Sequence, residues 1–246
     1  MFEKQYKVRY FEVNQYGEAS PITILKLLEE TAASHCLSIN YDLYDLMKKG
    51  IGWVLLAGYM KMERYPSYKE NIIIRTWLSK YTKIRAVREN IIFDEQGNII
   101  GRAKGLWLFF DIKRRRPIKI FDDIKEKWPC FPEESIKNDI SKKIKVIDSA
   151  KYVKKFHIHR FDIDSNKHVN NVTYLKWLME SIPNEIFDNY FLHIIDGRFI
   201  AEAHYGDIIK FFTESDDCNN TFIHTIKNLD DEKVCATAKT VWKKRF

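Results

Sequence analysis

The sequence predicts an α+β fold made of two copies of one unit, each a single helix packed against a strongly curved antiparallel sheet. Two observations lead to this prediction. A stretch of the first half aligns without gaps to a stretch of the second half. Each stretch reads as strand, turn and helix, and is followed by segments of strand composition. The composition is that of an ordinary globular protein, with 45% hydrophobic and 30% charged residues among 246.

The internal repeat relates residues 11–31 to residues 161–181 at a constant offset of 150 (161 − 11 = 150). Leu25 meets Leu175, for example, and a lysine follows each of them. One short match arises easily by chance. Here the type of element agrees on both sides of the turn as well, so a duplication is the better explanation.

Each copy begins its helix with a capping residue. Ser20 precedes Pro21, which is a good N-cap followed by proline at the first helical position. Asn170 fills the equivalent place in the second copy, and Pro183 predicts the end of the second helix. Apolar residues recur at helical spacing in both helices, so each needs a sheet to cover it.

Strand composition follows each helix, because β-branched and aromatic residues dominate four segments in each half. The predicted strands are 53–64, 71–80, 84–93 and 99–111 in the first half, and 191–204, 208–214, 222–229 and 234–243 in the second. A charged segment with two prolines matches neither copy. We therefore predict an N-terminal unit at 1–120, a connector at 121–150 and a C-terminal unit at 151–246.

The charge balance favours an anionic partner without identifying it. Lysine and arginine exceed aspartate and glutamate by 41 − 34 = +7, and the sequence pI is about 9.0. Such an excess permits attraction to nucleic acid, anionic lipid or an acidic protein. The most apolar stretch, 51–60, is ten residues long. A membrane helix needs about 20 residues, so we expect no membrane span.

The cysteines and the beginning of the sequence lead us to expect a cytoplasmic protein with reduced thiols. The four cysteines form no C-x-x-C pair, and the first ten residues contain no apolar signal region. No Walker A, G-x-G-x-x-G or G-x-S-x-G motif is present, so we expect no nucleotide cofactor. His157 and His159 share a strand face, but two histidines without a fixed third ligand predict no metal site.

Motifs in both halves resemble the acyl-acyl carrier protein thioesterases, the plant fatty acyl enzymes and their bacterial relatives. The second half contributes DIDSNKHVNNVTYLKWLMES at 162–181. The first half contributes GWVLL at 52–56, ERYP at 63–66 and RTW at 75–77, in the order typical of that family. The resemblance implies a tandem (double) hotdog fold, in which a curved antiparallel sheet wraps a long helix in each half.

The resemblance also implies a catalytic cluster. Asp164, Asn166 and His168 match the family's turn before the second helix, and Glu202 matches a glutamate on the following strand. An older proposal for the family placed a nucleophilic cysteine directly after that glutamate. Here the position is Ala203, so a cysteine mechanism does not carry over.

The equivalent turn of the first half lacks the cluster. Asn14, Tyr16 and Glu18 occupy the corresponding positions. We therefore expect one active site per chain, with the first half shaping an acyl pocket. His35 and Trp53 are candidate substrate-binding residues, although His35 is also typical of a core residue and Trp53 is more typical of sheet packing.

The chemistry of thioester hydrolysis fits the residue types of the cluster. The reaction needs an activated water and a group that holds the developing oxyanion. Alternation at 164, 166 and 168 places three side chains on one side of an extended backbone. We expect Glu202 to act as the base, His168 to position water or thioester, Asn166 to polarise the carbonyl and Asp164 to orient its neighbours. His168 is the alternative base.

Less specific interpretations of these residues stay open. NKHVNN alone is also typical of a polar turn that caps a helix, and Glu202 alone of an ion-pair partner on a strand face. Arg114, Arg115 and Arg116 are candidate docking residues for an acidic carrier protein. We expect no nucleic-acid partner, and a homodimer is one open expectation.

The leading functional prediction is hydrolysis of fatty acyl-acyl carrier protein to free fatty acid, without a cysteine nucleophile. A hotdog thioesterase acting on acyl-CoA is one alternative. A non-catalytic module that binds acyl groups or nucleic acid is the other. The choice between carrier protein and CoA, and the acyl chain length, are not readable from the residues.

Overall fold

The computed structural model describes residues 1–164, 169–216 and 220–245 of the chain. The chain divides into two compact units, Met1–Ile140 and Ser141–Phe246. The division falls inside the predicted connector at 121–150. Asn166 and His168 of the predicted cluster lie outside the described residues, as does Cys218.

The first unit contains one long helix and an antiparallel sheet. Its strands are β1 (Phe2–Lys7), β2 (Ile51–Met62), β3 (Asn71–Tyr81), β4 (Arg85–Asp94), β5 (Ile99–Asp111) and β6 (Arg116–Pro117). Its helices are α1 (Pro21–Ser38), α2 (Leu43–Lys48) and α3 (Asp122–Lys127). The strand order is β1-β3-β4-β5-β2, and the short β6 pairs with β5.

The second unit repeats this plan with a shorter central helix. Its strands are β7 (Tyr152–His157), β8 (Tyr190–Phe199), β9 (Ile208–Asp216), β10 (Thr221–Asn228) and β11 (Val234–Lys244). Its helices are α4 (Asn171–Met179) and α5 (Asn184–Asn189). The strand order is β8-β11-β10-β9-β7, antiparallel throughout.

The central helix of each unit packs its apolar side on the sheet. In the first unit, Ile24 of α1 is fully buried, and the Tyr6 hydroxyl on β1 lies 2.8 Å from Thr31 Oγ1. In the second unit, the Trp177 ring stacks on Phe156 at 6.1 Å between centroids. Register shifts interrupt the ladders of both sheets, and such bulges bend strands and increase their twist. The sheets therefore curve around their helices, as the sequence predicts.

Most element boundaries agree with the sequence prediction, and two differ. α4 has nine residues and ends at Met179, four residues before Pro183. The strand predicted at 191–204 ends at Phe199. Composition favours a longer strand, but the N–H groups of residues 200 and 201 both donate to the Cys235 carbonyl, and this ends the regular ladder.

The duplication extends to individual backbone hydrogen bonds at the same offset of 150. Each unit has a 3-10 turn, an isolated β-bridge and a hydrogen bond at the helix entrance. The 3-10 turns are Tyr10–Glu12 and Arg160–Asp162. The bridges join Val13 to Ala19 and Ile163 to Val169. At the helix entrance, Ser20 N donates to Glu12 O at 3.1 Å, and Asn170 N donates to Asp162 O at 3.0 Å. One local scaffold is thus built twice.

A buried ion pair ties the segment after α3 to the first sheet. Glu89 is fully buried, and the Nζ atom of Lys104 lies 3.3 Å from its carboxylate. The same carboxylate accepts hydrogen bonds from Ser135 N at 3.1 Å and Ser135 Oγ at 2.6 Å. Lys104 also reaches Glu134 at 3.2 Å. Burial removes both charges from bulk solvent, so the pair depends on its own geometry and on these hydrogen bonds.

We predict that Lys104→Met destabilises the first unit by about 3 kcal/mol, because it leaves the buried Glu89 carboxylate without its cation. Urea unfolding followed by tryptophan fluorescence measures the loss. Lys61→Met is the matched control, since Lys61 pairs with Glu63 at 2.7 Å on the surface and should cost less than about 1 kcal/mol. Equal losses in the two variants would contradict this account of the pair.

Candidate functional site

Two members of the predicted cluster, Asp164 and Glu202, lie in the described part of the second unit. Both side chains are half-buried. Asp164 follows the isolated bridge residue Ile163, seven positions before α4 begins at Asn171 (171 − 164 = 7). Glu202 lies between β8 and β9. The two residues are 38 positions apart (202 − 164 = 38), so their relation depends on the fold.

Backbone contacts of one residue, Val169, bring these two segments together. Val169 forms the antiparallel bridge with Ile163, directly before Asp164. Its N–H also donates to the carbonyl oxygen of Ala203, directly after Glu202, at 3.1 Å. The segment of Asp164 and the segment of Glu202 therefore meet at the same residue. This juxtaposition is the core of the candidate site.

Glu202 lies beyond the end of its strand, which corrects the prediction that it is on one. The last ladder pair of β8 joins Phe199 to Ala236. The N–H groups of Ile200 and Ala201 then both donate to the carbonyl of Cys235, at 2.8 and 3.2 Å. Two successive donors on one acceptor end the regular ladder. The chain turns there and brings Glu202 to the turn before α4.

The beginning of α4 adds a favourable environment for negative charge. The Asn170 side chain accepts a hydrogen bond from Val172 N at 2.7 Å, as predicted for the N-cap. The Thr173 N–H donates to the Asn170 carbonyl at 2.9 Å, so the favourable effect on an anion comes from the dipole of the helix. The turn of Asp164 leads directly to this helix end.

The first unit has the same backbone arrangement with different side chains. The Ala19 N–H donates to Pro66 O at 2.8 Å, which corresponds to the bond from Val169 to Ala203. Tyr65, directly before Pro66, therefore occupies the place of Glu202, and it is 5% exposed. Within its turn, Asn14 Nδ2 donates to Glu18 Oε1 at 3.3 Å. This unit therefore repeats the scaffold without the carboxylate at the Glu202 position.

Sequence comparison missed the equivalence of Tyr65 and Glu202, because the offset changes to 137 in this region (203 − 66 = 137). A recurring turn marks the new register. Ser67 N donates to the Glu70 carboxylate and His204 N to the Asp207 carboxylate, both at 2.9 Å. The turn uses a left-handed residue in each unit, Lys69 with φ 68° and Gly206 with φ 92°.

His35, predicted to bind substrate, lies buried in the first unit against polar neighbours. Arg88 Nη1 lies 3.2 Å from Nδ1 and Trp128 Nε1 lies 2.8 Å from Nε2. Burial lowers the pKa of His35 to about 3, and the positive charge of Arg88 adds to this effect. The imidazole is therefore neutral, and only one of its two nitrogens accepts a hydrogen bond at a time, although a donor lies against each of them. Its contact with an acyl chain stays a prediction.

Trp53 and the arginine run occupy different parts of the first unit. Trp53 is half-buried on β2, with its ring 4.8 Å from that of Phe109. Arg114, Arg115 and Arg116 are exposed at the turn between β5 and β6. Trp53 therefore packs in a core cluster, as expected for either role, and the arginines form an accessible basic turn.

Within residues 1–164, 169–216 and 220–245, no group of three metal-ligating side chains is close enough to hold an ion. In the same part of the chain, no helix has the length and apolar character that crossing a membrane requires.

Comparisons with known proteins identify the family. The family model for the acyl-ACP thioesterase N-terminal domain matches residues 1–128, and the model for the C-terminal domain matches residues 145–244. The chain is 30% identical over 236 residues to oleoyl-acyl carrier protein thioesterase 2, chloroplastic, of Arabidopsis thaliana, covering 89% of this chain and 64% of that protein. It is 27% identical over 278 residues to oleoyl-acyl carrier protein thioesterase 1 of the same plant, covering 99% and 76%.

Solved structures show the same fold. An acyl-ACP thioesterase from Bacteroides thetaiotaomicron superposes with a TM-score of 0.88 at 21% identity, covering 98% of this chain and 97% of that one. A 12:0-ACP thioesterase from Umbellularia californica superposes with a TM-score of 0.87 at 20% identity, covering 99% and 97%. These matches confirm the tandem hotdog fold. With both of its domain models matched along the chain, this protein belongs to the acyl-ACP thioesterase family.

Proposed function

We propose that the chain hydrolyses the thioester of fatty acyl-acyl carrier protein and releases a free fatty acid. The observation that supports this most directly is the meeting of the Asp164 and Glu202 segments at Val169. Family membership supplies the reaction class. The plant relatives are named as oleoyl-acyl carrier protein thioesterases, which favours carrier protein over CoA as the thiol carrier.

In the proposed reaction, the Glu202 carboxylate takes a proton from water while the water oxygen attacks the thioester carbonyl carbon. The carbonyl oxygen becomes an oxyanion, and the bond from carbon to sulfur then breaks. The thiolate takes the proton back from Glu202 and leaves as a free thiol, and the fatty acid keeps the oxygen and the other hydrogen of the water, so charge and atoms balance. His168 positions the water or the thioester, and it is the alternative base. Asp164 orients these groups from the start of the turn.

Two groups are proposed to stabilise the oxyanion. The Asn166 amide donates one hydrogen bond, and the dipole of α4 adds a partial positive charge at the N-terminus of the helix. Such groups lower the barrier because they are fixed before the charge develops. An N-cap followed by a nine-residue helix is long enough to hold them in place.

The chemistry of the described cysteines supports a mechanism without a thiolate nucleophile. Burial raises the pKa of Cys36 and of Cys235 to about 11 each, so both are protonated at neutral pH. Desolvation also raises the pKa of Cys130, although it is exposed at the surface. Ala203, beside Glu202, carries no reactive group.

The carrier-protein partner and the compartment are further parts of the proposal. Carrier proteins of this kind are acidic, and the exposed turn at Arg114, Arg115 and Arg116 offers a complementary charge. A cytoplasmic location fits the three free thiols of the described part, and the plant relatives are named chloroplastic. Fractionation of the source cells tests the location.

A substrate panel tests the function itself. We predict that acyl-acyl carrier protein is hydrolysed with a kcat/KM at least about tenfold above acyl-CoA of the same chain length, since only the carrier protein meets the basic turn. Its KM should rise with salt, because charge attraction is screened. Free thiol release measures both rates across chain lengths. Faster hydrolysis of CoA esters at every length would assign the chain to CoA substrates instead.

The role of Glu202 has a matched control within the chain. We predict that Glu202→Gln lowers kcat by roughly two to four orders of magnitude, because it keeps the shape and removes the base. Glu18→Gln makes the same chemical change in the first unit, at the position that corresponds to His168, and should leave kcat within about threefold. Thermal unfolding checks that both variants fold. Wild-type turnover in folded Glu202→Gln would remove this carboxylate from the mechanism.

A further inference from the structure

Tyr174, on the second turn of α4, carries a buried hydroxyl without a hydrogen-bond partner in the described part of the chain. The side chain is 5% exposed. A buried hydroxyl left unpaired destabilises the folded chain relative to a satisfied one. A group kept at such a cost calls for an explanation outside the resting structure.

The surroundings of this hydroxyl lead directly to Glu202. The Tyr174 ring packs against Phe199 at 6.2 Å between centroids, at the end of β8. Burial raises the pKa of the Tyr174 phenol, and the nearby Cys235, Asp207 and Glu202 side chains add to the rise. The Ala203 backbone N–H, which does not meet hydrogen-bond geometry with the hydroxyl, acts in the opposite direction. The phenol therefore lies beside the segment that carries the proposed base.

Asp207 is fixed by the turn that it closes, and a cysteine thiol is only a weak acceptor. Asp207 accepts from His204 N and from Asn228 Nδ2, both at 2.9 Å. The Cys235 thiol donates to the carbonyl of Lys233 at 3.8 Å. A carboxylate has about four acceptor positions, so Glu202 can take a further hydrogen bond whatever its present contacts. Glu202 is thus the acceptor best suited to the phenol.

The first unit shows that the scaffold does not need this hydroxyl. The position equivalent to Tyr174 is Ile24 (174 − 150 = 24), and Ile24 is fully buried in the same place on its helix. The position equivalent to Glu202 is Tyr65. Tyrosine on the helix and glutamate on the neighbouring segment therefore occur together in one unit, and both differ in the other. Packing alone is served by isoleucine.

We propose that Tyr174 is a positioning residue for Glu202, whose carboxylate accepts a hydrogen bond from the Tyr174 hydroxyl when substrate is bound. This inference rests on the proposed function, because it concerns the base of that reaction. Catalytic hydrogen bonds are often long or badly aligned without substrate and tighten when it binds. The bond fixes the carboxylate where it meets the attacking water.

A double-mutant cycle of Tyr174→Phe and Glu202→Gln tests the proposal. Tyr174→Phe should lower kcat about 10-fold to 100-fold, as expected for a hydrogen bond to a charged group, with KM within about twofold. In the Glu202→Gln background, the same change should lower kcat less than about threefold, because the residue that the hydroxyl positions no longer acts as a base. The melting temperature of Tyr174→Phe should be unchanged or higher than that of the wild type, since an unpaired polar group is removed.

Tyr6→Phe is the control, because the Tyr6 hydroxyl is paired with Thr31 in the first unit. It should lower the melting temperature and leave kcat unchanged. Three results would each overturn the proposal. The two losses in kcat multiply in the double variant, or kcat of Tyr174→Phe stays within about threefold of wild type. The third is a drop in the melting temperature of Tyr174→Phe equal to that of Tyr6→Phe. A wild-type chain that hydrolyses no acyl-acyl carrier protein would instead overturn the proposed function, and this inference with it.

Discussion

The hydrogen bond from Val169 N–H to the Ala203 carbonyl, 3.1 Å long, joins the two segments on which the candidate site depends. Neither segment is held by a regular strand at this point. Glu202 follows the end of β8, and Asp164 follows the bridge residue Ile163. Without the Val169 contact, the two carboxylates belong to separate loops. With this hydrogen bond, backbone geometry holds the segments of Asp164 and Glu202 together. Backbone geometry does not depend on the neighbouring side chains.

The same bond exists in the first unit between Ala19 and Pro66, at 2.8 Å. This hydrogen bond therefore belongs to the duplicated scaffold and does not depend on the side chains in which the two units differ. The units differ in what the scaffold presents. One offers Tyr65 and Ile24, which are buried, and the other offers Glu202, a half-buried carboxylate, and Tyr174, a buried phenol with an unpaired hydroxyl. A duplicated fold can in this way keep one copy for structure and use the other for chemistry.

Local chemistry made much of this predictable from the sequence. The caps Ser20 and Asn170 follow from the preference of helix N-termini for oxygen acceptors, and both accept as predicted. The repeat predicted two equivalent units, because equal elements recur at an equal offset. The residues of the cluster followed from the resemblance to a family, whose membership the comparisons confirm.

Features that depend on long-range contacts were not predictable in this way. The end of β8 depends on the Cys235 carbonyl, which takes two successive donors, whereas the composition of 200–204 continues to favour a strand. Tyr174 reads as one more core aromatic of an apolar helix. Only the buried, unpaired state of its hydroxyl distinguishes it. The fully buried ion pair of Glu89 and Lys104 likewise needs the fold to bring strands β4 and β5 together.

The central claim is that the Val169 amide organises a working site while its counterpart in the first unit only supports structure. Replacing the peptide N–H of residue 169 by an ester oxygen removes that donor and keeps the side chain. We predict that turnover falls at least about tenfold in a folded chain, since the Glu202 segment loses its anchor. The same replacement at residue 19 should leave turnover within about threefold. Equal turnover in the two ester variants would contradict the account.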